Sequence, residues 1–112
     1  MRGENGMKIL VKALGFNPGE ALQRHAVHRL QSVLAHWAGR MGKIVVRILD
    51  TNGPRGGVDK ACSILLSAPR RTPVMVSAIS GDYYAAVDLA AHRAERALTR
   101  MFERRPRAKA LP

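Results

Sequence analysis

The sequence is short of aromatic residues, acidic residues and cysteine. Aromatic residues make up 4% of its 112 residues, so the core must be aliphatic and base-stacking platforms, which need exposed rings, are disfavoured. The single cysteine excludes an internal disulfide and fits a reducing cytoplasm. No run approaches the roughly 18 apolar residues of a membrane span, and the N-terminus lacks the apolar segment and cleavage site of a signal peptide. We therefore expect a cytoplasmic protein without a membrane partner.

The charge balance is strongly basic. The chain has 19 lysines and arginines against 8 aspartates and glutamates, which gives a net charge of +11. Such self-repulsion is best tolerated by a domain whose partner is a polyanion, and nucleic acid is the first candidate. The length of 112 residues fits one domain.

Hydrophobic periodicity predicts the order βαβββα. Alternating or β-branched runs predict strands over residues 7–14, 43–50, 58–67 and 73–80. A first helix is predicted from Pro18 to about residue 38, with Asn17 as its N-cap and Gly39 ending it. A second helix is predicted after Asp82, its cap, to about residue 105 before Pro106.

These elements predict an α+β fold with two layers, a four-stranded mixed sheet and both helices on one face. The first two strands are expected to be parallel, joined by a right-handed crossover, and the later strands to pair as antiparallel hairpins. Residues 7–105 would form the domain, residues 1–6 a flexible leader and residues 106–112 a basic flexible tail.

The second helix carries a line of arginines without acids. Its predicted apolar arc comprises Tyr84, Val87, Ala91, Ala94, Leu98 and Phe102. Roughly 150° from that arc by helical geometry lie Arg93, Arg96, Arg100 and Arg104. Planar guanidinium groups donate bidentately to phosphate, so this ridge is the best candidate for binding chemistry, although most charge runs are simply solvated helix faces.

Three other features are weaker candidates. The tetrad GPRG, at residues 53–56, matches the GxxG of K-homology domains but lies between strands, so a hairpin tip is the simpler interpretation. Cys62, near Lys60 and Asp59, is more simply a buried hydrophobic residue than a nucleophile. The three histidines of the first helix have no neighbouring carboxylate or cysteine to complete a metal site. We therefore predict no catalytic residue, metal or cofactor.

Two segments resemble a known family. GDYYAAVDLAAHRAERALTR, at residues 81–100, resembles the second-helix signature of the ribosome hibernation promoting factors, also called ribosome-associated translation inhibitors, and NGPRGGVDKAC resembles their loop and third strand. The resemblance implies binding to the small ribosomal subunit in the channel for mRNA and tRNA, contacts to rRNA, and inactivation of idle ribosomes. Ala61 and His92 depart from the family pattern, where arginine and aspartate are common. The chain resembles a short form.

The leading hypothesis is accordingly a non-enzymatic rRNA-binding factor that inactivates ribosomes by occupancy, is a monomer away from the ribosome and uses no small-molecule substrate. The resemblance places basic contacts on Arg29 and on the ridge, and our full set of predicted RNA-binding residues is Arg24, Arg29, Arg55, Lys60, Arg93, Arg96, Arg100 and Arg104. The alternatives are a general double-stranded RNA-binding module, a regulatory protein that binds an acidic protein partner, and a thiol enzyme centred on Cys62.

Overall fold

The computed structural model describes residues 7–51 and 59–103, which form one four-stranded sheet and two long helices. In chain order the elements are β1 (Lys8–Leu14), α1 (Gly19–Val33), a short 3-10 helix (Ala35–Arg40), β2 (Lys43–Asp50), β3 (Lys60–Leu66), β4 (Val74–Ser80) and α2 (Tyr83–Glu103). The predicted α+β class and βαβββα order are confirmed. The predicted leader, the predicted tail and the whole GPRG tetrad lie outside the described residues.

The strands follow one another across the sheet in the order β1-β2-β3-β4. β1 and β2 are parallel, and the other two pairs are antiparallel, as predicted. Side chains alternate between the two faces, and the face under the helices carries the buried aliphatic residues: Ile9 opposite Ile44, and Ile44 opposite Leu66. The two edge strands, β1 and β4, each contact a helix, α1 and α2 respectively, on the same face of the sheet.

The first helix is shorter than predicted. Pro18, and not Asn17, holds its N-terminal flanking position, although Asn17 Oδ1 accepts a hydrogen bond from the Gly19 N–H at 3.1 Å. The α-helical backbone ends at Val33, and the 3-10 helix follows Leu34. In a 3-10 helix residues three apart lie above one another, so Leu34 and Trp37 both stay buried while the chain turns towards β2.

The second helix packs through small side chains. Its N-terminus is capped as predicted, since the Ala85 N–H donates to Asp82 Oδ2 at 3.0 Å. The predicted apolar arc is partly wrong: Tyr84 is exposed and Phe102 only half-buried. The residues that α2 buries are Ala86, Val87, Ala90, Ala91, Ala94, Ala97 and Leu98. Alanines permit close approach, which lets α2 contact β3, β4 and α1 together.

Two strand boundaries differ slightly from the prediction. β3 begins at Lys60, after the buried Asp59, and β4 begins at Val74 because Pro73 has no N–H to donate to a strand ladder.

Candidate nucleic-acid interface

The arginine ridge of α2 lies beside the edge strand β4. Arg93, Arg96 and Arg100 are exposed, and with Val76 and Ser77 they line a groove between the helix and the strand. Arg93 is fixed there because its Nη1 donates to the Ser77 carbonyl oxygen at 2.6 Å. The fourth predicted member, Arg104, lies outside the described residues.

The turn between β3 and β4 extends the ridge. Arg70, Arg71 and Arg100 line a second groove at the C-terminal end of α2. Arg71 Nη1 donates to the carbonyl oxygen of Met101, near the last described residue of α2, at 2.9 Å. Arg71 therefore holds the turn against α2 by a defined contact.

An aromatic ring anchors this end of the surface. The guanidinium carbon of Arg71 lies 4.7 Å from the centroid of the Phe102 ring, and that of Arg40, from the 3-10 helix, lies 4.0 Å from it. The negative faces of an aromatic ring attract cations, so Phe102 offsets part of the repulsion between the two arginines. The rest of the Phe102 side chain packs against the hydrophobic core.

We call Arg70, Arg71, Arg93, Arg96 and Arg100 the arginine tract. None of the five forms a salt bridge with a carboxylate within residues 7–51 and 59–103. All five side chains are exposed. The tract is thus a row of uncompensated positive charges from two grooves that meet at Arg100, and it suits a ligand with several phosphates in sequence.

Sequence reasoning missed Arg70 and Arg71. The signal was the RR dipeptide in the turn APRRTP, but its proximity to α2 depends on how the β3–β4 hairpin packs, which periodicity does not report. Arg70 also has φ +65, a left-handed conformation that few non-glycine residues adopt. Such outliers concentrate at functional sites, so the backbone strain supports a role for this turn.

The predicted arginines of α1 lie apart from the tract. Arg29 Nε is 3.4 Å from Asp88 Oδ1 of α2, and His25 Nε2 is 2.7 Å from the same oxygen. Arg24 Nη2 is 3.6 Å from Glu20 Oε1 on its own helix. Arg29 thus links the two helices on the flank of α2 opposite β4, and both arginines have part of their charge compensated.

Lys60 lies in an ion cluster at the end of the sheet. Its Nζ donates to Asp59 Oδ1 at 2.9 Å and to Asp50 Oδ2 at 3.2 Å, and its side chain is 18% exposed. The hydrogen bond with Asp59 raises the pKa of Lys60 above 10.5. An RNA contact at Lys60 would require its ammonium to leave two carboxylates. Arg55, the other loop prediction, lies outside the described residues.

The protein family of this chain is identified by a match that covers most of its sequence. The profile of the family described as sigma 54 modulation protein / S30EA ribosomal protein matches residues 9–106, which is most of the chain. The chain belongs to this family. The resemblance to ribosome hibernation promoting factors is thereby confirmed, and the S30EA family is a family of ribosome-associated proteins.

Solved structures share the S30EA fold seen here. A ribosomal subunit interface protein from Coxiella burnetii superposes with a TM-score of 0.76 at 19% identity, covering 88% of this chain and 100% of its own. The N-terminal domain of Protein Y from Thermus thermophilus gives a TM-score of 0.68 at 20% identity, covering 85% of this chain and 99% of its own. No curated protein sequence matches this chain significantly.

The remaining features are the single cysteine, groups that could hold a metal, and the apolar character of the helices. Cys62 is fully buried, and burial raises the pKa of its thiol to about 12, so the nucleophilic thiolate does not form near neutral pH. This burial argues against the thiol enzyme. Within the described ranges no three His, Cys, Asp or Glu side chains are grouped closely enough to hold a metal ion. None of the described helices of this S30EA protein is both long and apolar enough to cross a membrane.

Proposed function

We propose that this S30EA protein is a non-enzymatic factor that binds rRNA of the small ribosomal subunit through the arginine tract. The observation that carries the proposal is the row of five exposed arginines, none of which has a carboxylate partner among the described residues. Two of the five are held in place, Arg93 by its hydrogen bond to Ser77 and Arg71 by its hydrogen bond to Met101. Guanidinium groups fixed by backbone contacts lose less conformational freedom on binding phosphate than free surface side chains do.

The arginine tract is long enough to contact more than one phosphate of a nucleic-acid backbone. Arg93 and Arg100 are seven residues apart on one helix, which corresponds to about 10 Å along its axis, and the β3–β4 turn continues the tract past Arg100. Phosphate contacts supply affinity with little sequence information, so specificity for the ribosome would come from the shape of the rRNA. The α1 arginines Arg24 and Arg29 and the predicted Arg104 would add contacts beyond the tract.

The bound protein would block translation by occupying a channel of the ribosome. A folded body bound in the channel used by mRNA and tRNA would exclude both, and the protein would thereby hold ribosomes inactive in the cytoplasm during stress or stationary phase. No bond is made or broken in such a mechanism, so no catalytic residue or cofactor is required. The family resemblance supports this step of the proposal, and the tract supports the binding step.

Sedimentation with purified small subunits over a salt series tests the proposal. The variant Arg93→Gln/Arg96→Gln/Arg100→Gln should bind more weakly, and its slope of log affinity against log salt should fall by about 2 to 3 units, because each phosphate contact contributes roughly 0.7 to 0.9. The matched control is Lys8→Gln/Lys12→Gln/Lys43→Gln, which removes the same charge from exposed positions on the other side of the sheet.

Equal slopes for the two triple variants would contradict the proposal, since net charge alone would then explain binding. A random RNA duplex that competes as well as small subunits would indicate a general double-stranded RNA-binding module instead. A complex that survives nuclease would indicate an acidic protein partner.

A further inference from the structure

The face of the sheet turned away from the helices is organised in rows that run across the strands. One row is apolar throughout and comprises Leu10, Val45, Leu65 and Met75. A second apolar row comprises Leu14, Leu49, Ala61 and Ile79. Met75 and Ile79 are each 54% exposed and Leu14 is 46% exposed, so three of the five exposed large hydrophobic residues in the described chain lie on this one face.

A polar row separates the two apolar rows. It comprises Lys12, Arg47, Ser63 and Ser77. Two further cations, Lys8 and Lys43, lie opposite each other at the start of β1 and β2. The outward-facing positions of the four strands include no acidic residue, because Asp50 and Lys60 share the helix-covered side. Four positive charges are thus uncompensated on this face.

Nucleic acid and lipid fit this face poorly. RNA-binding sheets stack bases on aromatic rings, and the outward-facing strand positions contain none. Interfacial membrane binders place Trp or Phe with Leu on one side and cations on the other, whereas here two of the cations, Lys12 and Arg47, lie between two apolar rows. Exposed apolar area of this kind is typical of protein interaction sites.

Charge also decides between protein occupants. A second copy would bring another +11 of net charge against this face. Residues 104–112 of the same chain contain four cations and no acid, so they are repelled too. A partner with carboxylates between apolar side chains gains both the apolar contact and the ion pairs.

We propose that this sheet face binds an acidic amphipathic helix of a partner protein. Strand residues rise about 3.3 Å each, so the apolar rows lie roughly 13 Å apart with the cationic row midway. A helix rises about 1.5 Å per residue, so apolar side chains about eight positions apart on one side of it reach both rows, and a carboxylate about four positions from each reaches Lys12 and Arg47. This surface is separate from the arginine tract, and the inference does not depend on RNA binding.

The test is a titration of isotope-labelled protein, followed by NMR, with an 18-residue helical peptide. The peptide carries leucines eight positions apart on one side and glutamates midway between them. Amide shifts are expected along β1 and β2 and at Met75 and Ile79. The variant Lys12→Glu/Arg47→Glu should lose at least tenfold in affinity for this peptide and gain affinity for the same peptide with lysine in place of glutamate. Arg96→Glu/Arg100→Glu, on the arginine tract, makes the same change in net charge and is the matched control, which should bind the acidic peptide as the wild type does.

Several results would overturn the inference. No shifts on the sheet face would exclude the occupant, and shifts confined to α2 would place acidic peptides on the tract instead. Dimerisation that depends on concentration and is lost in Ile79→Ser would assign the face to a second copy. If the double variant does not fold, Lys12→Gln alone, at an exposed position, must still weaken the acidic peptide, and an unchanged affinity would count against the proposal. Ribosome sedimentation of the same variants reports on the tract independently.

Discussion

Arg70 combines an unfavourable backbone conformation with an exposed positive charge. Its φ of +65 lies in the left-handed region, which costs an L-residue roughly 1 to 2 kcal/mol. Glycine avoids that cost but adds about 0.5 to 1 kcal/mol of unfolded-state entropy. Arg70→Gly should therefore leave the free energy of unfolding unchanged or raise it by up to about 1.5 kcal/mol, while weakening small-subunit binding.

Denaturant unfolding and subunit sedimentation of Arg70→Gly measure the two quantities separately. Arg70→Lys, which keeps the charge and the strain but not the guanidinium, should keep the stability and lose only part of the binding. If Arg70→Gly binds small subunits as tightly as the wild type, Arg70 makes no contribution to RNA binding by the tract.

Unlike Arg70, Lys60 forms ion pairs within the fold. Asp59 is fully buried, and its Oδ2 has no hydrogen-bond partner among the described residues, so the ion pair through Oδ1 is its main compensation. Lys60→Met should lower the melting temperature more than Lys43→Met, which changes an exposed lysine. The loss follows from leaving a buried carboxylate unpaired.

The pH dependence of this effect has a definite sign. The folded-state pKa of Lys60 is raised above 10.5, so its charge stabilises the fold fully below pH 10.5 and this contribution is lost as pH rises through the folded-state pKa. The difference in melting temperature between wild type and Lys60→Met should therefore be constant from pH 7 to pH 9 and shrink above pH 10.5. A gap that persists at high pH would mean that Lys60 contributes by packing and not by charge.

At the level of elements, α2 depends on alanine. Ala94 is fully buried where α2 meets the core. Ala94→Leu adds volume to a packed interior, which typically costs 1 to 3 kcal/mol. Ala85→Leu, at an exposed position of the same helix, should change the free energy of unfolding by less than about 0.5 kcal/mol. Denaturant unfolding of the two variants gives the comparison, and equal effects would show that the helix does not pack closely there.

The same helix shows how far sequence reasoning extends. Its start was predictable because Asp82 is a good capping residue, and the strands were predictable because β-branched residues alternate or run together in short segments. Its buried face was only partly predictable, since alanine occurs both inside and on surfaces and a helical wheel gives more weight to Tyr84 and Phe102. The first helix was overestimated because Leu34 and Trp37 are three residues apart, a spacing that suits both an α-helix and a 3-10 helix.

The residues of the candidate site also differ in how far the sequence alone predicts them. Arg93, Arg96 and Arg100 were predictable because they are local to one helix. The position of Arg71 depends on its contacts to Met101 and Phe102, about thirty residues away in sequence, and these contacts are set by hairpin packing. The ion pairs Arg29–Asp88 and Lys60–Asp50 were equally difficult to predict from the sequence. The first depends on how α1 packs against α2, and the second depends on the register between β2 and β3.

For the whole molecule, net charge and local contacts should affect different steps of binding. The charge of +11 attracts rRNA at long range, and removing three charges from any surface should slow association at low salt. At about 0.15 M salt the screening length is roughly 8 Å, so charges on the open sheet face no longer act on RNA bound at α2. Dissociation depends on groups that touch the ligand.

Stopped-flow or surface-based kinetics with small subunits should therefore separate the two triple variants. At low salt, Arg93→Gln/Arg96→Gln/Arg100→Gln and Lys8→Gln/Lys12→Gln/Lys43→Gln should slow association by similar factors. At 0.15 M salt only the tract variant should dissociate faster, by at least tenfold, because three charge-assisted phosphate contacts are lost. Faster dissociation of the lysine variant would instead place the open sheet face, and not the arginine tract, against the ribosome.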